Sequence, residues 1–147
     1  MHDENLALWE LLLLVLRALD HGEPNLDVLL RWFELHLLGV AGFQPELFYC
    51  LYCSDELQPV TNYLSISEGG IYCPRCGEAR KGTEPLDVGV LKVLRYLQSH
   101  GWSQVSKLSV RPEVMGPVEN ILYRYLLSIL ERQLKSVNFL RSVARSG

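Results

Sequence analysis

The feature that most constrains this chain is its set of four cysteines, which stand in two pairs. They read Cys50-x2-Cys53 and Cys73-x2-Cys76, with nineteen residues between the pairs, and there are no others. A CxxC step bends the backbone so that two sulfurs face one point, and two such steps together supply four ligands. Four thiolates fill every position of the tetrahedron that zinc prefers. In the second pair Pro74 stiffens the turn, and Gly77 is expected to let backbone amides approach the sulfurs. The competing chemistries are a redox dithiol and a pair of disulfides. A redox CxxC normally lies between a strand and a helix and needs no second pair, and paired CxxC motifs in a reducing compartment favour metal. The spacing therefore predicts one structural zinc ion on Cys50, Cys53, Cys73 and Cys76. A closed set of four thiolates leaves no position for water or substrate.

The remaining residues set the frame around that centre. A chain of 147 residues with 48% hydrophobic and 21% charged residues has the composition of an ordinary globular protein. The longest apolar run, Leu11 to Leu16, is far short of the about 20 residues a membrane span needs. Met1-His2-Asp3-Glu4 is acidic where a secretion signal is basic, so a cytoplasmic protein with no membrane partner is expected.

Hydrophobic periodicity predicts four main helices. The first runs over about 6–19, capped by Asn5 and stopped at His21-Gly22. The second runs over about 26–38, opened by Asn25 and ended by Gly39 and Gly42. Leu64 and Ile66 then alternate with Tyr63, Ser65 and Ser67. With a turn at Glu68-Gly69-Gly70 before Ile71-Tyr72, this is a β-hairpin between the cysteine pairs. After a polar loop over 78–84, Pro85 is expected in the first turn of a third helix reaching Ser99, with Leu86, Val90, Val93, Leu94 and Leu97 on its apolar face. Residues 102–115 read as a connector. A fourth helix over 117–136 is expected to carry Ile121, Leu122, Tyr125, Ile129 and Leu130 inward. The fold class is mainly α: one helical domain over 1–147 with an inserted four-cysteine, zinc-ribbon-like β-hairpin over 48–80. The first helix is apolar on more sides than the other helices can cover.

Charge is distributed unevenly. Residues 1–60 carry ten acidic residues against Arg17 and Arg31, whereas residues 61–147 carry twelve basic residues against seven acidic ones, within a net charge of −3. Arg124, Ser128, Arg132 and Lys135 share one face of the last helix, with Arg141 and Arg145 beyond, and Arg75, Arg80 and Lys81 flank the second cysteine pair. Such residues suit phosphates, with Tyr123 or Phe139 available to stack on bases. A solvated polar face would look the same. His21 and His100 precede glycines at helix ends, where capping explains them. His36 has no nucleophile beside it, and no G-x-S-x-G, phosphate-loop or HExxH motif occurs. No enzyme is expected.

Longer phrases carry a resemblance. Leu30-Arg31-Trp32-Phe33-Glu34-Leu35-His36-Leu37-Leu38-Gly39, then Gly42-Phe43-Gln44-Pro45-Glu46-Leu47 before Cys50-x2-Cys53, resembles the central part of the bacterial RecO recombination mediators. So do Ser67-Glu68-Gly69-Gly70-Ile71-Tyr72-Cys73-Pro74-Arg75-Cys76, Leu94-Arg95-Tyr96-Leu97, Arg124-Tyr125-Leu126 and Leu134-Lys135-Ser136-x2-Phe139-Leu140. The resemblance implies a DNA repair and recombination protein associated with the bacterial nucleoid. Such proteins bind and anneal single- and double-stranded DNA, partner with RecR, and help load RecA onto strands coated by SSB. It also implies zinc on the same four cysteines. RecO proteins begin with an OB-fold domain. The sequence shows no such segment before residue 6, so the chain is expected to match the C-terminal portion, with the first helix lying beside the missing domain. The rival reading is a zinc-ribbon module that contacts proteins and no nucleic acid.

Overall fold

A computed structural model describes residues 2–146, with side chains from residue 5. The chain runs α1 (His2–Asp20), α2 (Leu26–Val40), β1 (Asn62–Ser65), β2 (Gly70–Tyr72), α3 (Pro74–Gly77), β3 (Glu84–Leu86), α4 (Val88–Ser99), α5 (Trp102–Val105) and α6 (Pro112–Ser146). It is mainly helical, with one small antiparallel sheet of order β2-β1-β3. No helix among the described residues is long and apolar enough to cross a membrane.

The core lies where α2, α4 and α6 meet the sheet. Leu29 and Leu35 of α2, Leu91, Leu94 and Leu97 of α4, and Val118 and Leu122 of α6 are fully buried, together with Ile71 of β2. These positions recur at three- and four-residue spacing, so each helix turns one apolar stripe inward. Polar anchors fix the packing. The Trp32 indole donates to the His100 carbonyl (2.9 Å), His36 Nε2 lies 3.0 Å from the Leu97 carbonyl, and the Tyr125 hydroxyl donates to the Phe43 carbonyl (2.7 Å). His36 and His100 thus hold helix packing together, and His100 also stacks on Tyr96.

Element boundaries depart from the sequence expectations in four places. Asn5 lies inside α1, not at its start. Asn25 precedes α2 but its side chain does not cap the helix. Its amide instead donates to the Leu108 carbonyl (2.8 Å), which ties α2 to the segment after α5. Pro85 is in β3, where its neighbour Leu86 pairs with Asn62 and Pro85 itself sits opposite Tyr63. A strand at the sheet edge tolerates a proline because its outward side needs no donor. Helix α4 therefore starts later, at Val88, capped by the Asp87 carboxylate accepting from the Gly89 amide (2.9 Å). Finally, α6 begins five residues early, with Pro112 in its first position, and continues as one helix through Pro117 to Ser146. Its core-facing stripe ends at Ile129. Leu130, expected inward, is exposed because it lies one step around the helix from Ile129, off the buried stripe of Val118, Ile121, Tyr125 and Ile129.

Helix α1 packs mainly on α2 through Leu11 and Val15, which are buried. Leu6, Trp9, Leu13, Leu16 and Leu19 are exposed, so the apolar run from Leu11 to Leu16 is only partly core.

Candidate metal centre and basic surface

The four cysteines converge between the hairpin and the loop before it. Their sulfurs all lie within 4.8 Å of one another, and none is in a disulfide. A tetrahedron with zinc–sulfur bonds of about 2.3 Å has edges of about 3.8 Å. The Cys53–Cys73 separation of 3.9 Å matches such an edge. Four sulfurs gathered this closely make a donor set that could hold a thiophilic metal ion.

Two backbone turns build this arrangement. In the first, the Ser54 amide donates to the Cys50 carbonyl (3.0 Å) and the Cys50 amide to the Asp55 carbonyl (2.9 Å). Ser54 adopts a left-handed conformation, φ 64°, to turn the chain back after Cys53. In the second, Cys73 stands immediately before α3, and the Gly77 amide donates to the Cys73 carbonyl (2.8 Å). The Cys73 amide reaches across to the Cys50 sulfur (3.3 Å), and the Leu51 amide pairs with the Ile71 carbonyl (2.9 Å), so the hairpin and the first turn are stitched together. Gly77 has a different reason from the one expected. A Cβ there would sit 2.7 Å from the Tyr63 Cβ and 2.8 Å from the Tyr72 Cβ, so glycine lets α3 lie flat on the sheet.

The sulfurs divide in their acidity. Burial pushes the Cys50 thiol up, but amides of Cys73, Cys53 and Tyr52 point at it and bring it down to about 6. Cys76 is pushed up to about 12, by burial and then by the neighbouring thiols. Without a cation the cluster holds thiolate at Cys50 and resists it at Cys76. A divalent ion eases that conflict by stabilising all four sulfurs as thiolates and offsetting two of their four negative charges. The Arg75 guanidinium lies against the Cys53 and Cys76 sulfurs and 3.5 Å from Asp55, adding positive charge at the rim.

The other basic residues fall into two groups. Arg80 sits over the Tyr72 ring (4.3 Å) and near the Tyr52 ring (5.3 Å), with Lys81 exposed beside it. Arg124 forms a two-pronged bond with Glu84 of β3, one arm at 2.8 Å, and donates to Asn120, clamping α6 to the sheet edge. Arg132, Lys135 and Arg141 lie exposed on the outward half of α6, where Arg132 donates to the Ser128 carbonyl of its own helix.

Comparison with known proteins bears on this arrangement. The family model described as "Recombination protein O C terminal" matches residues 2–138. The chain belongs to that family. Its relatives include proteins named DNA repair protein RecO. That of Dehalococcoides mccartyi is 36% identical over 95% of this chain and 54% of the relative. That of Roseiflexus sp. is 38% identical over 95% and 49%, and that of Halalkalibacterium halodurans 32% identical over 97% and 55%. The chain therefore spans about half the length of the curated RecO relatives it matches. No solved structure matches.

One residue that positions this RecO-family centre carries no local signal. Arg95 of α4 donates to the carbonyls of Leu47 (2.7 Å) and Leu57 (3.2 Å) and lies over the Phe48 ring (5.1 Å). It brackets both ends of the loop that presents Cys50 and Cys53. Asn62, fully buried, closes the next stretch by donating to the Gln58 and Val60 carbonyls (3.0 and 2.9 Å). The bonds of Arg95 are made across 38 to 48 residues, which no periodicity shows.

Proposed function

We propose that this chain is the metal-bearing helical part of a RecO-type DNA repair and recombination protein, acting by binding and scaffolding and performing no chemical step. The observation that carries this reading is the family match over residues 2–138. On this reading Cys50, Cys53, Cys73 and Cys76 hold one zinc ion. Bound there, zinc supplies folding energy to the segment that carries the four cysteines. Arg95 and the hairpin then fix the orientation of the loop and of Arg75, Arg80 and Lys81.

The partners follow in the same frame: single- and double-stranded DNA first, RecR and the SSB protein next. Arg132, Lys135 and Arg141 suit the phosphate backbone best, because they are exposed on the outer half of α6 and form no ion pair among the described residues, and exposed Phe139 shares the face of Arg132 and Lys135 and can stack on a base. Arg124 has a prior bond to Glu84 and contributes to DNA binding only by holding α6 in place.

The test is fluorescence anisotropy of a labelled single-stranded oligonucleotide titrated with the zinc-loaded chain at low and moderate salt. Binding that weakens steeply with salt, and that falls in an Arg132→Ala, Lys135→Ala double variant, supports the reading. Absence of binding at low salt removes DNA contact from residues 1–147. It favours the alternative, a zinc-ribbon module that docks proteins only.

A further inference from the structure

The two turns that carry the cysteines are joined differently on their two sides. On the side of Cys50 the joint is backbone. The Cys73 amide donates to the Cys50 sulfur (3.3 Å) and the Leu51 amide to the Ile71 carbonyl (2.9 Å). Cys50 is buried there, and the amides of Cys53 and Tyr52 also point at its sulfur. On the side of Cys53 and Cys76, both half-buried, a side chain makes the joint. Arg75 stands between Cys73 and Cys76 in the second turn. Its guanidinium lies against the sulfur of Cys76 and against that of Cys53 in the first turn, and 3.5 Å from the Asp55 carboxylate just after Cys53.

The chemistry of the centre gives that cation a task. Four thiolates around one divalent ion keep two uncompensated negative charges. The excess makes the sulfurs repel one another and leaves them open to electrophiles, and donors aimed at sulfur disperse it. Backbone amides do so for Cys50. At Cys53 and Cys76 one guanidinium serves both sulfurs, because its planar fork presents several donors at once. The bond to Asp55 does not account for Arg75 by itself. The two side chains are 75% and 70% exposed, and an ion pair so solvated adds little to stability. Its geometric effect is to hold the guanidinium on the first turn, beside Cys53.

We propose that Arg75 is a positioning residue of the metal centre: a fixed counter-charge that ties Cys76 to Cys53, retains the ion and shields those two sulfurs. The proposal rests on the reading of the four cysteines as a zinc site. It sets Arg75 apart from Arg80, whose cation lies over the Tyr72 ring, and from exposed Lys81.

The test compares the zinc-loaded wild-type chain with Arg75→Ala, Arg75→Gln and Arg75→Lys. Zinc content and affinity are measured against a chromogenic chelator, and mass spectrometry maps which cysteines react with a first equivalent of N-ethylmaleimide. The Ala and Gln variants are expected to bind zinc about 10-fold more weakly. In both, Cys53 and Cys76 are expected to react first, with Cys50 as slow as in the wild type. The Lys variant, which keeps the charge but not the fork, is expected to fall between. Equal affinity and the same order of reaction in all four chains overturn the proposal. So does a Gln variant that matches the wild type, since charge then plays no part. So does faster reaction of all four cysteines together, the mark of a general loosening; if Arg75→Ala does not fold, Gln and Lys carry the comparison. A wild-type chain that takes up no zinc overturns the zinc reading itself and this proposal with it, whereas the other failures leave that reading intact.

Discussion

Arg124 and Glu84 meet across the boundary between α6 and the sheet, and their bond makes an acid-sensitive contact. The Arg124 guanidinium holds the Glu84 carboxyl below the usual carboxylate range. The pair therefore contributes its full stability above the unfolded glutamate value of about 4.3, and loses it as pH falls through the lower folded value. Both side chains are partly solvated, so Arg124→Ala is expected to cost at most about 1 kcal/mol. The variant's melting temperature should change less than the wild type's on acidification below about pH 4. Gly77→Ala is a sharper case. The added methyl meets two tyrosine Cβ atoms under 3 Å, so a loss of about 1–3 kcal/mol in denaturant melts is expected even with metal bound. Cys73→Ser is expected to lose stoichiometric zinc and to unfold the hairpin locally, read by metal analysis and amide exchange. At this scale the cysteines were legible because ligand spacing is a local property of the sequence. The partner of Arg124 was not, since Glu84 lies 40 residues away and a basic stripe looks alike whether it is solvated or paired.

Single elements were read well in kind and poorly at their ends. The stripes of α2, α4 and α6 were visible because each buries one face at helical spacing. Pro85 was ambiguous in the sequence: a proline suits the first turn of a helix and an edge strand equally. Pairing of β3 with β1 decided between them, and no local signal reports such pairing. Asp87, immediately downstream, is the residue that starts α4. Asp87→Ala is expected to cost about 1 kcal/mol in a urea melt while leaving metal content unchanged. Asn25 went the other way, because its side chain serves a contact to Leu108 in place of the helix it precedes.

Across the whole molecule, the excess of apolar surface suspected in the first helix is now located. It is the outward face of α1, and the outer half of α6 has a counterpart that the sequence reading placed partly in the core. The basic excess of the second part of the sequence includes Arg132, Lys135 and Arg141, which are exposed on the outer half of α6. Between these surfaces, the four-cysteine centre joins the loop after α2, the hairpin and α3. Chelation of the metal is expected to open residues of that segment while much of the helical signal in circular dichroism persists, because the contacts among α2, α4 and α6 do not depend on it. The account rests most heavily on that centre. Its most direct test is the metal content of the purified chain, measured together with the reactivity of its thiols under native conditions. One zinc per chain, with the thiols unreactive until the metal is withdrawn, is the result predicted. A folded chain without stoichiometric metal and with four freely reacting thiols, or with its cysteines joined as disulfides, would contradict it.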